Sequence, residues 1–239
     1  QPVTGRGVEG ALPLPPRMEA RAAPDVLSFA RVRNDASAAP FLRYGGDGSV
    51  SLGGGATLRG QTFSFHDVFE GSARGTQAAV FEAVGGSAVR RMAGGENVAL
   101  VAQGQALSGK RWTLLGDLDA EANHGLVPRA IARLFALAAR PDGGGLEAEC
   151  EVRLSWVEVC QERLFDLLRP GSDELQLGES AARGAHAEGL AEPSVDSVEK
   201  ALGLLRTGVT CGRHGMSHTV LTVLLRQRRQ DGSTRVSTL

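Results

Sequence analysis

The sequence predicts an α/β fold, because segments with strand and helix periodicity alternate along its 239 residues. Three observations carry this prediction. A nearly continuous apolar run at 97–103 is typical of a strand buried on both faces. A glycine-bearing loop at 104–111 follows it directly. Residues 126–140 carry apolar positions at the spacing of an amphipathic helix, with Pro128 near its start.

Composition indicates a globular protein and excludes several classes of function. Apolar residues make up 42% of the chain, which is long enough to bury a core. The net charge of -1 provides no general attraction to nucleic acid or to an anionic membrane, so we expect neither as a partner. Three cysteines without paired spacing favour a reducing compartment. No apolar run approaches the roughly 20 residues that span a bilayer.

The N-terminal quarter predicts a lead-in followed by strands. Residues 1–24 are rich in Pro, Gly and Ala without a period and predict an irregular linker. Residues 25–33 alternate like a strand, and 44–58 predict a hairpin with glycine turns. Residues 61–69 form a second alternating segment that ends in an aromatic side chain.

The segments around and beyond the loop mix both periodicities. Residues 76–95 predict a helix that is broken or kinked at a glycine pair. Residues 146–168 begin with strict alternation and end with helical spacing. Residues 196–208 predict a helix with Asp196 or Ser197 as its N-terminal cap and Gly208 as its stop. The last segment, 218–239, predicts two strands around an Asp-Gly turn.

The loop at 104–111 meets the phosphate-loop pattern Gly-x-x-x-x-Gly-Lys at Gly104, Gly109 and Lys110. In such loops backbone N–H groups point at phosphate oxygens, and the lysine adds a charge near the outer phosphates. The next residue is normally a Ser or Thr that holds Mg²⁺, but here it is Arg111. Leu107 stands where glycine would allow close backbone approach. Two interpretations stay open, a phosphate site and a plain turn with a surface lysine.

Motifs around the loop stand in one order along the chain. They are "FSFHDVFEG", "TQAAVFEAV", "NVALVAQGQALSGKRWTLLG", "HGLVPRAIARLF", "VRLSWVEVCQERLFDLL" and "ARGAHAEGLAEPSVDSVEKALGLLRTG". This series resembles the kinesin motor domain over roughly residues 25–239. The resemblance implies a kinesin-type P-loop NTPase fold, with a central, mostly parallel β-sheet flanked by helices on both faces. Residues 1–24 would then be a lead-in to a partial motor domain that lacks switch II.

The resemblance also implies ATP or ADP as a possible ligand. Trp112 takes the place of an aromatic residue that stacks on the base. Ala106, Leu107 and Arg111 depart from the family pattern of the phosphate loop. The complete set of nucleotide-binding positions that the resemblance implies is Arg31, Arg33, Gly104, Gln105, Ala106, Leu107, Ser108, Gly109, Lys110, Arg111 and Trp112.

Switch I departs further from the family pattern, because only Ser217 and His218 clearly match it. The family's serines for γ-phosphate and Mg²⁺ fall at His214 and Gly215, and its switch arginine falls at Met216. Mg²⁺ is therefore doubtful, and we assign neither a metal ligand nor a catalytic residue. Phosphoryl transfer needs loop, metal and switches together, so we expect this chain not to be a competent ATPase.

The resemblance implies a kinesin-like, microtubule-associated protein of the cytoplasm and cytoskeleton. Residues 28–52 look most like the ninth, axonemal kinesin class, which implies a cilium or flagellum. The preferred function is a structural, non-motile component whose partners are microtubules or axonemal proteins. The alternative is an ATP-driven microtubule motor whose missing switch and tubulin-binding elements lie beyond Leu239. An unrelated small-molecule kinase is disfavoured, since the chain shows neither a lid nor an acceptor site.

Overall fold

The structure, a computed structural model, describes residues 26–32, 42–45, 47–52, 61–140, 146–147, 149–181, 184–212 and 217–239. The predicted lead-in at 1–24 lies outside these residues. The chain divides into two compact units, one of residues 1–30 with 39–68 and the other of 31–38 with 69–239. No helix within the described ranges is long and apolar enough to cross a membrane.

The N-terminal part of the chain contains short strands. They are β1 (Phe29–Arg31), β2 (Leu42–Tyr44), β3 (Ser49–Leu52), β4 (Thr62–Ser64) and β5 (Asp67–Phe69). β2, β3 and β4 form an antiparallel sheet. The first glycine turn of the hairpin predicted at 44–58 is confirmed between β2 and β3, whereas residues 53–58 lie outside the described residues. The confirmed turn needs Gly48, which has φ +81 and whose added Cβ would lie 2.4 Å from Phe65 O. The segment 61–69, predicted as one strand, is two strands, of which β5 pairs with β1.

The rest of the chain carries the helices and the main sheet. The helices are α1 (Gly71–Arg74), α2 (Gln77–Val80), α3 (Gly86–Ala93), α4 (Lys110–Leu114), α5 (Leu126–Ala138) and α6 (Val198–Cys211). The strands are β6 (Glu149–Cys160), β7 (Arg163–Asp166), β8 (Leu177–Ser180), β9 (Gly184–Ala187), β10 (Ser194–Val195), β11 (His218–Arg228) and β12 (Thr234–Thr238). The predicted α/β class is thus confirmed.

The predicted helix at 76–95 is confirmed, with a bend in the place expected from its glycine pair. Thr76 caps α2, since its side chain accepts a hydrogen bond from the N–H of Ala79. A π-helical turn, Phe81–Gly85, then joins α2 to α3. At Gly85 an added Cβ would lie 2.4 Å from the ring of Phe81, so only glycine lets the bend close over this ring.

The predicted stop of α6 at Gly208 is wrong, because the helix continues to Cys211. Ser197 caps its start by accepting from the N–H of Lys200, as one of the two predicted caps. Gly208 instead serves packing: an added Cβ would lie 2.2 Å from Cε3 of Trp156. The glycine is there to let α6 approach the sheet.

Five described strands form the main sheet: β10, β6, β11 and β12 are neighbours in this order, and β7 also pairs with β6. The expectation of a mostly parallel sheet is wrong for the described strands, because all of these pairings are antiparallel. Short connections explain this result. β11 and β12 are joined by a turn with Gly232 at φ +79, and a connection this short can only reverse the chain.

The helical ending predicted for 146–168 is also wrong. β6 and β7 form a hairpin whose two turn residues, Gln161 and Glu162, have φ values of +51 and +64. A two-residue turn of this kind matches the twist of antiparallel strands, and it overrides the helical spacing of the side chains that follow.

Two of the described helices, α3 and α6, pack on one face of the main sheet: carbonyls of α3 accept hydrogen bonds from side chains of β11 and β12, and α6 lies against Trp156. This face buries Leu154 and Trp156 of β6 and Val223 and Leu225 of β11. On the other face Val220 and Val236 remain 55% and 45% exposed. The expectation of helices on both faces is therefore not met by the described residues.

Residues 97–103 form neither a strand nor a helix, contrary to the prediction of a strand buried on both faces. Within the described chain, one backbone hydrogen bond holds this segment, from the N–H of Val98 to Thr238 O at 2.9 Å. Val101 is 87% exposed. Apolar composition predicted burial here, but a strand also needs a neighbour along its length, and β12 reaches only its first residues.

Candidate functional site

Residues 104–109 form a tight loop ahead of α4. Gly104 (φ +154) and Gly109 (φ +95) have backbone conformations that favour glycine. At Gly104 a side chain would also collide, since an added Cβ would lie 2.6 Å from Ser108 Oγ. The N–H of Ser108 donates to Gln105 O at 3.2 Å and closes the turn. The loop thus has glycine where its geometry requires it.

Leu107 is an exception, because its backbone has a positive φ although the residue is not a glycine. Its φ is +62, a left-handed conformation that costs a residue with a Cβ about 1–2 kcal/mol. Its side chain is 89% exposed, so burial of the isobutyl group does not offset this cost. The structure therefore supports the interpretation that this position suits a glycine.

The ammonium group of Lys110 points back into its own loop. Nζ donates to Gly104 O at 2.7 Å and to Gln105 O at 2.6 Å. An ammonium has three donors, so two of the three are used within the loop. In this state the lysine closes the loop, and an arriving phosphate would have to compete with two carbonyl oxygens for its charge.

Arg111 and Trp112 follow on the first turn of α4, and both are exposed. Arg111 has five N–H donors and no acceptor, so it can contact an anion but cannot coordinate a cation. The indole of Trp112 is 45% exposed and is therefore available for stacking on a planar ligand.

Arg31, predicted on the base side of the site, is held by the protein itself. Nη1 donates to Gln77 Oε1 at 2.9 Å and to Thr113 Oγ1 at 3.0 Å, and Nη2 donates to Gly75 O at 2.8 Å. Burial lowers the pKa of this guanidinium, which remains charged at neutral pH because arginine titrates far above 7. The guanidinium of Arg31 is therefore fixed by groups at the start of α2 and on α4. Arg33 lies outside the described residues.

Gln77 is a residue of this region that the sequence analysis missed. It is only 6% exposed, and its amide bonds Arg31, the carbonyl of Trp112 at 2.7 Å and the carbonyl of Asn123 at 3.1 Å. The signal in the sequence is weak: a polar residue directly after a helix cap, on the first turn of an otherwise apolar helix face.

The switch I remnant lies on the main sheet. Ser217 Oγ donates to Glu158 Oε1 at 2.8 Å, and Glu158 is 1% exposed. His218 begins β11 and pairs with Val159 of β6. Among the described contacts, none joins Ser217 or His218 to the loop at 104–111. His214, Gly215 and Met216 lie outside the described residues.

The residues of the loop suit an anion better than a metal ion. Backbone turns at two glycines, one lysine and one arginine provide N–H donors and positive charge. A magnesium ion needs oxygen ligands, and the residue after the lysine has none to offer. The described residues contain no group of three or more His, Cys, Asp or Glu side chains that could hold a metal ion. Arg111 therefore cannot supply the oxygen ligand that this position gives to Mg²⁺ in other phosphate loops.

Known proteins resemble this chain over most of its length. A family model described as the kinesin motor domain matches residues 53–239. A solved structure of a fast kinesin superposes with a TM-score of 0.77 at 25% identity, covering 88% of this chain and 62% of that one. The expected kinesin-type P-loop NTPase fold, a mixed α/β fold with a central sheet, is confirmed by this match.

Two curated relatives agree with the structural match. The kinesin heavy chain of Botryotinia fuckeliana is 31% identical over 74% of this chain and 20% of its own length. Kinesin-related protein 5 of Dictyostelium discoideum is 32% identical over 74% of this chain and 19% of its own length. The chain thus spans about a fifth of these relatives. It belongs to the kinesin motor domain family.

Proposed function

We propose that this chain is part of a kinesin-like, microtubule-associated protein whose nucleotide site is degenerate and whose role is structural rather than motile. The observation that carries the proposal is the state of the loop. Lys110 donates to the carbonyls of Gly104 and Gln105, and Arg111 stands where a metal-binding hydroxyl is needed.

ATP or ADP fits the loop in part. The glycine turns and Lys110 suit a phosphate group, and the exposed indole of Trp112 suits an adenine ring. A metal-free ADP is the form that these residues favour, because the guanidinium of Arg111 can pair with phosphate oxygens where a metal would otherwise neutralise them.

Hydrolysis is the step that we expect to be lost. Removing one contact to the transition state costs about 3 kcal/mol, or roughly a hundredfold or more in rate. Arg111 replaces the metal hydroxyl, and Ser217 donates to Glu158 on the main sheet. Mg²⁺, when bound in such sites, neutralises the charge that develops on the phosphates, and Arg111 has no oxygen with which to hold that ion.

A true ATP-driven microtubule motor is the second candidate. It is favoured by Gly104, Gly109 and Lys110, which keep the spacing and the glycine conformations of a working phosphate loop. Under this alternative the departures at Leu107 and Arg111 are tolerated. The two candidates differ in one measurable property, ATP turnover in the presence of microtubules.

The cellular setting that we propose is the cytoplasmic cytoskeleton, in a cilium or flagellum. The support is the sequence of residues 28–52, which resembles the axonemal kinesin-9 class. The partners would be microtubules or axonemal proteins. By the resemblance, residues 169–189 correspond to the loop with which the family contacts tubulin. Their sequence has no lysine and carries four carboxylates against two arginines: Asp173, Glu174, Glu179 and Glu188 against Arg169 and Arg183. This loop is poorly matched to the acidic surface of tubulin, which favours a static role over a stepping one.

The test is a titration of the protein with fluorescent ADP, with and without Mg²⁺, followed by a phosphate-release assay with microtubules. The proposal expects ADP binding that does not depend on Mg²⁺ and no microtubule-stimulated release. Lys110→Met is the binding control, because it removes the charge while keeping the length of the side chain. Stimulated phosphate release by the protein would overturn the degenerate role and favour the motor.

Axonemal placement needs its own test. A fluorescent tag on the protein in a ciliated cell should mark the axoneme along its length. A tag that stays diffuse in the cell body would contradict this part of the proposal and leave the nucleotide chemistry unaffected.

A further inference from the structure

The amide of Gln77 joins three parts of the chain that are far apart in sequence. Oε1 accepts from Nη1 of Arg31 at 2.9 Å, at the end of β1. Nε2 donates to Trp112 O at 2.7 Å, on α4, and to Asn123 O at 3.1 Å, on the turn before α5. The side chain is 6% exposed, so water cannot replace these partners without opening the structure.

The turn between α4 and α5 packs closely against the amide of Gln77. At Gly116, which has φ +72, an added Cβ would lie 3.0 Å from Gln77 Nε2 and 2.0 Å from Asn123 O. The N–H of Asp117 then donates to Asn123 O at 3.2 Å. Glycine at this position lets the turn between α4 and α5 fold tightly against the amide.

The three bonds converge on the residues that would face a base. Arg31 also donates to Thr113 Oγ1, so Gln77 and Thr113 fix one guanidinium nitrogen from two sides. The carbonyl of Trp112 is held by Gln77, while the indole of the same residue stays 45% exposed. The backbone under the exposed ring is therefore anchored although the ring itself is free to meet a ligand.

We propose that Gln77 is a positioning residue for the base-binding side of the nucleotide site, which holds Trp112 and Arg31 in register with the phosphate loop. The ligand class is a purine nucleotide, and this inference rests on the proposed nucleotide binding. Gln77 does not touch the ligand. It acts through the carbonyl of Trp112 and the guanidinium of Arg31.

The test uses Gln77→Met, which keeps the length and volume of the side chain and removes all three hydrogen bonds. Gln227→Met is the matched control. Gln227 is also a buried glutamine, at 0% exposed, and its amide bonds Ala93 O, the N–H of Glu147 and Arg235. Both substitutions remove a satisfied buried amide, but only Gln77 lies beside the site.

Two readouts are needed. The first is acrylamide quenching of tryptophan emission without ligand, in a Trp156→Phe background that leaves Trp112 as the remaining indole of this sequence. The second is the affinity for fluorescent ADP. With Gln77→Met we expect the quenching constant of Trp112 to rise and the affinity to fall about tenfold or more, since displaced contact groups lose much of their effect. Gln227→Met should change neither.

A second variant keeps the proposal falsifiable should Gln77→Met not fold. Gln77→Glu retains an acceptor for Arg31 but turns a carboxylate toward the carbonyls of Trp112 and Asn123. It should therefore raise the quenching of Trp112 as well. Unchanged quenching in the folded variant, or an equal change in Gln227→Met, would overturn the positioning role.

The two proposals fail in different ways. If the unsubstituted protein binds no ADP at millimolar concentration, nucleotide binding is refuted, and the quenching of Trp112 still decides whether Gln77 positions it. If ADP binds equally well to the protein and to folded Gln77→Met, nucleotide binding stands and the inference on Gln77 is refuted.

Discussion

Gly208→Ala is the substitution for which the structure predicts a sign opposite to helix propensity. In the interior of a helix such as α6, alanine is favoured over glycine by about 1 kcal/mol. At Gly208, however, the new Cβ would lie 2.2 Å from Cε3 and 2.4 Å from Cζ3 of Trp156, where carbon atoms normally stay about 3.5–4.0 Å apart. Trp156 is 5% exposed and belongs to the buried face of the sheet, so its ring has little room to move.

The magnitude follows from the two opposing effects. Overpacking of a well-packed core costs typically 1–3 kcal/mol, and an overlap of more than 1 Å belongs at the upper end. After subtraction of the propensity gain, we expect Gly208→Ala to lower the free energy of unfolding by about 2 kcal/mol. The loss of stability is caused by the two close contacts of the new Cβ with the ring of Trp156, and not by the loss of glycine itself.

The same helix offers the control. Gly203 has no heavy atom within 4 Å of an added Cβ, and it is exposed. Gly203→Ala should therefore raise the stability by about 1 kcal/mol, by propensity alone. Chemical denaturation followed by far-UV circular dichroism measures both variants, and their midpoints should move in opposite directions. If Gly208→Ala is as stable as the unsubstituted protein or more so, the packing of α6 against Trp156 is refuted.

Three further predictions test other parts of the chain. Thr76→Ala should lower the free energy of unfolding by about 1 kcal/mol, because α2 loses its cap, whereas Thr76→Ser keeps the hydroxyl and should lower it little. Thermal melts measure both variants, and equal losses of stability would show that the cap is unimportant. Burial raises the pKa of the Cys150 thiol, so its alkylation by iodoacetamide should reach half its maximal rate at a higher pH than the alkylation of free cysteine. Peptide mapping of the alkylated protein measures this midpoint, and a midpoint at or below that of free cysteine would contradict the prediction. Arg111→Thr restores a hydroxyl after the lysine and should make ADP binding depend on Mg²⁺; a titration that remains indifferent to the metal would show that the hydroxyl is not the missing part.

Local chemistry allowed several elements to be predicted from sequence. The glycine hairpin of β2 and β3, the cap of α6 at Ser197 and the bend in the helix at 76–95 depend on residues within a few positions of each other. Gly104 and Gly109 were singled out by the spacing of the phosphate-loop pattern, and the structure gives both residues the positive φ that favours glycine. The family resemblance was also carried by short motifs and was confirmed.

Strand pairing and hydrogen-bond partners were decided by the tertiary structure. The apolar run at 97–103 has the composition of a buried strand, but within the described chain Val98 alone makes a backbone–backbone hydrogen bond to a neighbouring strand, so no strand forms. The residues after Cys160 have helical spacing, but pairing of β7 with β6 costs less than leaving that edge of β6 without backbone partners.

The candidate site divides in the same way. The residue types of the loop can be read from the chain alone: two glycines, a lysine, and an arginine in place of a hydroxyl. The directions of their polar atoms depend on the fold, because Lys110 Nζ turns to two carbonyls of its own loop and Arg31 is held by Gln77, 46 positions away. Residue type is a local property, whereas the partner of a long charged side chain depends on which backbone groups the whole fold brings within about 3 Å of it.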